Sequence, residues 1–187
     1  MPADRPHGRD AVIEAVVEAA ARLFADRGPA AVSLRDVATE ANVNLGLIHR
    51  YIGSKEDLLA RVLAVRPGPE HFPSDPAGIV TQMLRFEPDV VQYIRVFVQA
   101  NLDGYDVRRL QPSMPILTAV AKELRQHFPG ADADVRTVLL ASMIFGWHSV
   151  GHAYLKTLRR SSLSSDELAA AIAPAIEGFL AAPPAGD

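Results

Sequence analysis

The chain has 187 residues, of which 49% are hydrophobic and 22% are charged, a composition typical of one or two globular domains. It contains no cysteine, which excludes disulfides, cysteine nucleophiles and thiolate metal sites and favours a reducing compartment. The net charge is −3, and residues 1–66 balance their basic and acidic side chains, so any affinity for nucleic acid must come from where the charges lie.

The start of the chain, MPADRPHGRD, lacks the apolar segment that a secretion signal needs. The longest strongly apolar run, LLASMIFGW, is much shorter than the roughly 18 residues that a membrane span requires. We therefore expect a cytoplasmic protein that does not interact with a membrane.

The first predicted element is an amphipathic helix over about residues 9–26. Apolar residues recur three and four positions apart from Ile13 to Phe24, which is the period of a helix with one buried face. Gly28 can adopt the left-handed conformation at the end of this helix, and Pro29 prevents its continuation.

Two short helices follow. Ser33 and Asp36 have the spacing of a capping box at the start of the second helix, LRDVATEA. Asn42 tolerates the left-handed backbone of a tight turn, and Asn44 is a suitable N-cap for a third helix over residues 45–51. A fourth helix starts after Ser54 and ends near residue 66.

The rest of the chain predicts a separate helical bundle. Residues 66–76 contain four prolines and predict a semi-rigid joint, and longer helices follow over about 76–87, 88–103, 113–128, 132–158 and 164–181. No segment shows strand-like alternation. The predicted fold is all-α with about nine helices: a three-helix helix-turn-helix domain in residues 1–66 and a helical bundle in residues 67–187.

Two short helices joined by a tight turn and braced by a first helix describe a helix-turn-helix, whose second helix enters the major groove of DNA. Ile48 and Ile52 can face the core of this unit, which leaves Leu45, Leu47, His49 and Tyr51 for an outer surface that needs a partner. Spacing alone leaves an inert corner of a helical bundle as an equal alternative.

Residues 9–66 resemble the DNA-binding domain of the TetR (tetracycline-repressor) family of bacterial transcription regulators. The resemblance rests on Leu23, Phe24 and Gly28, on the segment from Ser33 to Ala38, and on Ser54, Lys55, Glu56 and Leu58. It implies an all-α homodimer whose divergent C-terminal domain holds a ligand pocket. Asn42, Leu45, Leu47, His49 and Ile52 depart from the usual family pattern, so the operator sequence cannot be transferred from relatives.

By position in this pattern, we expect phosphate contacts from Ser33, His49 and Lys55, and groove-facing side chains from Arg35, Asn44, Leu45, Leu47 and Tyr51. Arg50 is either a phosphate contact or a solvated side chain. The predicted DNA-binding set is Ser33, Leu34, Arg35, Asn44, Leu45, Gly46, Leu47, His49, Arg50, Tyr51 and Lys55.

Aromatic and methionine side chains on the C-terminal helices could line an apolar ligand cavity, although such residues usually fill a core. The predicted ligand-binding set is Met83, Phe86, Tyr93, Phe97, Met114, Leu117, Met143, Trp147 and His148. His148 and His152 have the four-residue spacing of a two-histidine metal site, but no third ligand is identifiable, and we expect neither a metal nor a cofactor.

The last two predicted helices contain many small residues and suit a homodimer interface between subunits. A two-fold dimer predicts a near-palindromic operator on double-stranded DNA. The sequence carries no motif that indicates an enzyme. The function expected is a ligand-responsive regulator, a repressor by the default of the family, released by a small apolar or amphipathic effector. A helical protein-interaction scaffold without specific DNA binding is the alternative.

Overall fold

The computed structural model describes residues 6–65, 76–85 and 87–181, and all regular elements in these ranges are helical. The predicted all-α fold is therefore confirmed. The helices are α1 (Arg9–Arg27), α2 (Leu34–Glu40), α3 (Leu45–Tyr51), α4 (Lys55–Ala64), α5 (Pro76–Met83), α6 (Pro88–Leu102), α7 (Val107–Leu110), α8 (Pro115–His127), α9 (Ala131–Gly146), a π-helical turn (Trp147–Gly151), α10 (His152–Thr157) and α11 (Ser165–Ala181).

The chain packs as two compact units. The first unit combines residues 1–66 with residues 92–113, and the second combines residues 67–91 with residues 114–187. The N-terminal helices α1–α4 thus share a unit with most of α6 and with α7. The sequence predicts a domain boundary at residue 66. Whether residues 1–66 fold independently of residues 67–187 stays a prediction.

The first unit is built on one apolar core. Helix α1 contributes a buried face that includes Phe24, which is fully buried, and helix α4 contributes Leu58, Leu59 and Leu63. Val96 and Ala100 of α6 belong to the same core, in which they are fully buried. The apolar residues of the predicted helix faces therefore find their partners inside this unit.

Local hydrogen bonds begin and end these helices as the sequence predicts. Ser33 Oγ accepts from the backbone N–H of Asp36 at 3.2 Å, and Asp36 Oδ2 accepts from the backbone N–H of Ser33 at 2.8 Å, which completes a capping box. Ser54 pairs with Asp57 in the same way at the start of α4. Gly28 differs in detail: its φ of 79° is positive, but its ψ of 147° lies outside the left-handed helical region.

In the second unit, α5 packs against α8, α9 and α11. Arg136 of α9 is buried, and its guanidinium lies 4.0 Å from the ring centre of Phe128. It donates to Asp132 Oδ2 at 3.0 Å and to the carbonyl oxygen of Phe179 at 2.6 Å. A charged side chain can be buried here because its donors meet a carboxylate and a free helix carbonyl.

One side of α9 and α10 exposes large apolar side chains. Val138, Tyr154 and Leu158 are 60%, 63% and 69% exposed. Most of these exposed apolar residues lie three, four or seven positions apart along the chain. We call the set the open face: Val135, Val138, Leu139, Met143, Val150, Tyr154 and Leu158.

The continuous helix Ala131–Thr157 is long and apolar enough to cross a membrane by length and composition alone. No uninterrupted apolar run in the sequence indicates this helix, because small and polar residues interrupt the apolar ones. Only 22% of its most apolar window is buried within the chain. Helices in the cores and interfaces of soluble proteins have the same composition, so this feature is weak evidence for a membrane span.

Candidate nucleic-acid interface

Helices α2 and α3 form the predicted helix-turn-helix. Both pack against α1 and against each other. Asn42 occupies the turn between them with a φ of 53°, a conformation that asparagine tolerates better than most residues. Asn44 caps α3, since its Oδ1 accepts from the backbone N–H of Gly46 at 2.8 Å.

The buried side of α3 is the one predicted. Ile48 is fully buried, and Ile52 and Val43 are 8% and 9% exposed. These three side chains join the core of the first unit. The short α3 is thereby fixed against α1 and α2, as a helix of seven residues requires tertiary packing to be stable.

The opposite side of α3 forms an exposed polar ridge. Asn44, Gly46, His49 and Arg50 are all exposed, whereas Leu45, Leu47 and Tyr51 are half-buried and pack against the core. The expectation that all the spare apolar side chains point outward is thus corrected: Leu45, Leu47 and Tyr51 flank the ridge. A short helix over a small core leaves its flanking positions only partly covered.

The start of α2 adds further polar groups. Ser33 and Arg35 are exposed, and Leu34 is half-buried against the core. The hydroxyl and backbone N–H of Ser33 hold the pKa of the Asp36 carboxyl below its usual range. Hydrogen bonds from Ser54 lower the pKa of Asp57 in the same way.

Two cationic side chains, one in the ridge and one at the start of α4, differ in their surroundings. The Arg50 guanidinium lies 5.6 Å from the ring centre of Tyr51, within the range of a cation–π contact. Lys55 points inward: its Nζ donates to the carbonyl oxygen of Pro29 at 2.8 Å and to that of Val32 at 3.2 Å. The predicted phosphate contact of Lys55 must compete with these two bonds.

The predicted ligand-binding residues fall into different units. Tyr93 and Phe97 belong to the first unit and pack against its core, with ring centres 6.2 Å apart. The Tyr93 hydroxyl donates to Gln111 Oε1 at 2.8 Å, and Gln111 is buried. Gln111 was not predictable from the sequence, because it lies 18 residues from its partner and belongs to no motif.

Trp147 and His148 belong to the second unit, where the π-helical turn places them next to each other. Trp147 Nε1 donates to the carbonyl oxygen of Leu84 at 2.8 Å, and His148 Nε2 lies 2.5 Å from the carbonyl oxygen of Met83. Because a carbonyl only accepts, His148 Nε2 carries the proton of this bond. Two ring N–H groups therefore satisfy carbonyls at the end of α5, which would otherwise lack helical partners.

Burial lowers the pKa of His148, and the bond to Met83 only partly opposes that shift. His148 is therefore a neutral, buried histidine near pH 7. His152, four residues further on, is exposed. In the part of the chain that the structure describes, no three histidine or acidic side chains are grouped to hold a metal ion.

The remaining predicted ligand-binding residues are partly exposed. Met83, Met114 and Leu117 are half-buried in the second unit, and Met143 is exposed on the open face. Phe86 lies outside the described residues. Because the predicted residues belong to two different units, the ligand-binding set stays a prediction.

A cavity of about 250 Å³ opens in the first unit. None of the predicted ligand-binding residues lines it. Its walls come from the start of α4 and the corner between α6 and α7: Glu56, Asp103, Gly104, Tyr105, Asp106, Arg109 and Leu110.

Comparison with known proteins agrees with this architecture. Residues 16–62 match the family described as bacterial regulatory proteins, tetR family. The chain is 32% identical over 184 residues to the HTH-type transcriptional repressor Rv3405c of Mycobacterium tuberculosis, covering 94% of this chain and 92% of that protein. It is 46% identical over 150 residues to the HTH-type transcriptional regulator BetI of Rhizobium meliloti, covering 71% and 74% respectively.

Solved structures support the fold alone. The chain is similar to NalD of Pseudomonas aeruginosa, with a TM-score of 0.63 and 17% identity over 91% of this chain and 97% of that one. A transcriptional regulator from Rhodococcus sp. Rha1 gives a TM-score of 0.63 and 18% identity over 90% and 95% of the two chains.

The helix-turn-helix with its exposed polar ridge thus defines a DNA-binding transcription regulator. The chain belongs to the TetR family, because a curated member of this type matches it over nearly its whole length and the family pattern coincides with α1–α4.

Proposed function

We propose that this regulator is a repressor that binds a near-palindromic operator as a homodimer and leaves it when a small apolar or amphipathic molecule binds. The observation that carries the proposal is the exposed ridge of α3, which is rigidly capped and backed by a fully buried Ile48. The repressor assignment follows the relative from Mycobacterium tuberculosis that is named as one.

DNA contacts are proposed for the exposed polar groups of α2 and α3. Arg35 and Arg50 can bond guanine edges or phosphates, and Asn44 can bond adenine. Ser33 and His49 are proposed to bond phosphates that flank the groove. The Ser33 hydroxyl, which donates to Asp36 Oδ2 at 2.7 Å, would turn from that carboxylate to do so. Leu34, Leu45, Gly46, Leu47 and Tyr51 complete the surface, where half-buried apolar side chains can meet thymine methyl groups.

Dimerisation is proposed through the open face together with α11. The open face offers large apolar side chains, and α11 exposes small ones at Ala171, Ala175 and Gly178, four and three residues apart. Large residues on one helix and small ones on another would allow two copies to approach closely in a four-helix interface. A second copy therefore explains the exposed apolar helix better than a membrane does.

The effector is proposed to bind in the second unit near Trp147. Met83, Met114, Leu117 and Trp147 are half-buried there, which suits side chains that contact a removable apolar molecule. His148 and Trp147 bond the end of α5, so a ligand that displaced either ring would also disturb that helix. If the effector weakens DNA binding by some factor, bound DNA must weaken effector binding by the same factor.

The test is selection of binding sites from random duplexes, followed by affinity measurements on the enriched sequence. We expect an inverted repeat whose half-sites lie about one helical turn, roughly 10 base pairs, apart. Arg35→Ala and Arg50→Ala should each weaken binding about tenfold, whereas Arg95→Ala, an exposed arginine of α6, should not. A scaffold protein would enrich no sequence, and that result would exclude the proposal.

A second measurement addresses release. Apolar and amphipathic compounds are screened for displacement of labelled operator, and each active compound is then titrated onto the protein with and without operator. Equal coupling factors in both directions are expected. Binding near Trp147 is followed by the fluorescence of this tryptophan. A compound that binds tightly there and leaves operator affinity unchanged would contradict the proposal that an effector releases the protein from DNA.

A further inference from the structure

The loop between α1 and α2, residues 28–32, is held from two sides by side chains of opposite charge. Lys55, at the start of α4, donates to the carbonyl oxygens of Pro29 and Val32 at 2.8 and 3.2 Å. Asp103, just after α6, accepts from the backbone N–H of Ala30 at 2.7 Å. Three of the five loop residues are thus tied to parts of the chain that are 23 to 73 residues away.

The backbone at Gly28 permits this arrangement. A side chain there would place its Cβ 3.3 Å from Asp103 Oδ2 and 3.5 Å from Gln99 Oε1, and the φ of +79° disfavours any residue with a Cβ. The absent side chain lets the end of α6 approach the loop closely. The contact with Asp103 is therefore built into the local geometry of the first unit.

The loop leads directly into the DNA-binding surface. Val32, whose carbonyl accepts from Lys55, precedes Ser33, the N-cap of α2, and Arg35 follows within the first turn. A hydrogen-bonded loop therefore fixes where α2 begins. Misplacing contact groups by even about 1 Å is costly when several contacts must form together.

We propose that Lys55 and Asp103 set operator affinity as positioning residues, which hold residues 28–32 and the first turn of α2 without touching DNA. This inference rests on the proposed DNA-binding function. It assigns Lys55 a role different from the predicted phosphate contact, and it assigns Asp103 a role that no sequence motif indicates.

Salt dependence separates the two roles of Lys55. Removing a direct phosphate contact reduces the slope of log affinity against log salt by about 0.9. Positioning predicts that Lys55→Met weakens operator binding about tenfold with an unchanged slope. Arg61→Met, which removes an exposed cation from the same helix, is the matched control and should change neither quantity. A slope reduced by about 0.9 in Lys55→Met alone would overturn the positioning role of Lys55.

For Asp103 the sign of the effect is decisive. Removing a negative charge should strengthen DNA binding if only the overall field matters. Positioning predicts the opposite, a loss of about threefold to tenfold in Asp103→Ala, with most of the affinity restored in Asp103→Asn because the amide oxygen can still accept from Ala30. The control is Asp26→Ala, an exposed acid of α1, which should bind as well as the wild type or better. Stronger binding by Asp103→Ala would overturn the proposal.

Hydrogen exchange of the protein without DNA tests the positioning role separately from the proposed function, because it needs no operator. Lys55→Met and Asp103→Ala should speed exchange at the backbone amides of Ala30 and of the first turn of α2, while the amides of α9 stay as protected as in the wild type. Unchanged exchange in α2 would overturn the positioning role even if no duplex were ever bound. Failure of the wild-type protein to enrich any duplex, with the exchange result intact, would instead overturn only the proposed function.

Discussion

The two units of this protein differ in how many of their large apolar side chains they leave exposed. In the first unit, the large apolar side chains of α1, α3 and α4 include several that are fully buried, such as Phe24, Ile48 and Leu58. In the second unit, the longest continuous helix leaves a row of large apolar side chains exposed. The first unit completes its core alone and offers polar groups to a partner, whereas the second offers apolar surface.

The largest expected effect is a cavity in the closed core. Phe24→Ala should lower the free energy of unfolding by about 3–5 kcal/mol, because a fully buried ring is lost and the surrounding helices cannot close the gap. Chemical denaturation followed by circular dichroism measures this loss. Leu158→Ala, an exposed position on the open face, should cost less than about 1 kcal/mol in the same assay at a protein concentration where the monomer dominates.

The next effect concerns association. Val138→Glu should raise the dissociation constant of the proposed dimer at least about 100-fold, because it buries an unpaired charge in an apolar interface. Sedimentation equilibrium measures the constant. Ala119→Glu, which adds the same charge to an exposed position of α8, should leave the dimer intact. If the Val138→Glu protein stayed fully dimeric, the open face of the second unit would not be the dimer interface.

Arg136 is an exception within the second unit, a buried charge among apolar contacts. Arg136→Met should destabilise the protein by about 2 kcal/mol, because Asp132 and the carbonyl oxygen of Phe179 lose their donor. Arg136→Lys keeps the charge but cannot form the same fork, so we expect an intermediate loss. Thermal unfolding of the three proteins measures the order, and equal stability of all three would show that the guanidinium contributes only apolar contact.

Helix caps should contribute equally in the two units. Ser54→Ala in the first unit and Ser164→Ala in the second each remove a hydroxyl that caps a helix and bonds a carboxylate three residues on. Each should cost about 1 kcal/mol in denaturant unfolding. Ser142→Ala, at an exposed position within α9, serves as the control and should cost much less.

The smallest expected effect is a pH dependence confined to the second unit. Burial lowers the pKa of His148 in the folded protein below its ordinary value of 6.5, so the unfolded chain takes up the proton first. Stability from this residue is fully present above pH 6.5 and is lost as the pH falls from there toward the lowered pKa. Urea unfolding at a series of pH values measures the loss.

His148→Gln should abolish this loss, because glutamine keeps an N–H donor for Met83 but does not titrate in this range. His152→Gln, which replaces the exposed histidine four residues on, should retain it. Identical pH profiles for the two variants would mean that another group is responsible.

Sequence reasoning was most accurate where structure is set by near neighbours. The capping pairs at Ser33, Ser54 and Ser164 and the positive φ of Asn42 were predictable, because each depends on residues within three positions. The buried side of α3 followed from helical periodicity for the same reason.

Contacts between distant residues were not predictable in this way. Nothing in the local pattern indicates that Lys55 turns inward to Pro29, or that Asp103 reaches Ala30 across 73 residues. The half-buried state of Leu45 and Tyr51 also depends on packing against other helices. The π-helical turn escaped prediction because its sequence continues the same helical pattern on both sides.

That turn has a consequence for how the helix Ala131–Thr157 tolerates change in length. Each residue of an α-helix advances the side chains by about 100°, so the wider turn at Trp147–Gly151 offsets the part after it from the part before it. The backbone passes close to the Trp147 ring at Gly151, where an added Cβ would come within 2.9 Å. Deleting one residue, such as Ser149, should therefore restore regular α-helical bonding and leave Tyr154 and Leu158 in line with Val138, because the wider turn absorbs one extra residue. A regular α-helix of the present length would instead rotate both side chains by about 100° and divide the apolar row into two.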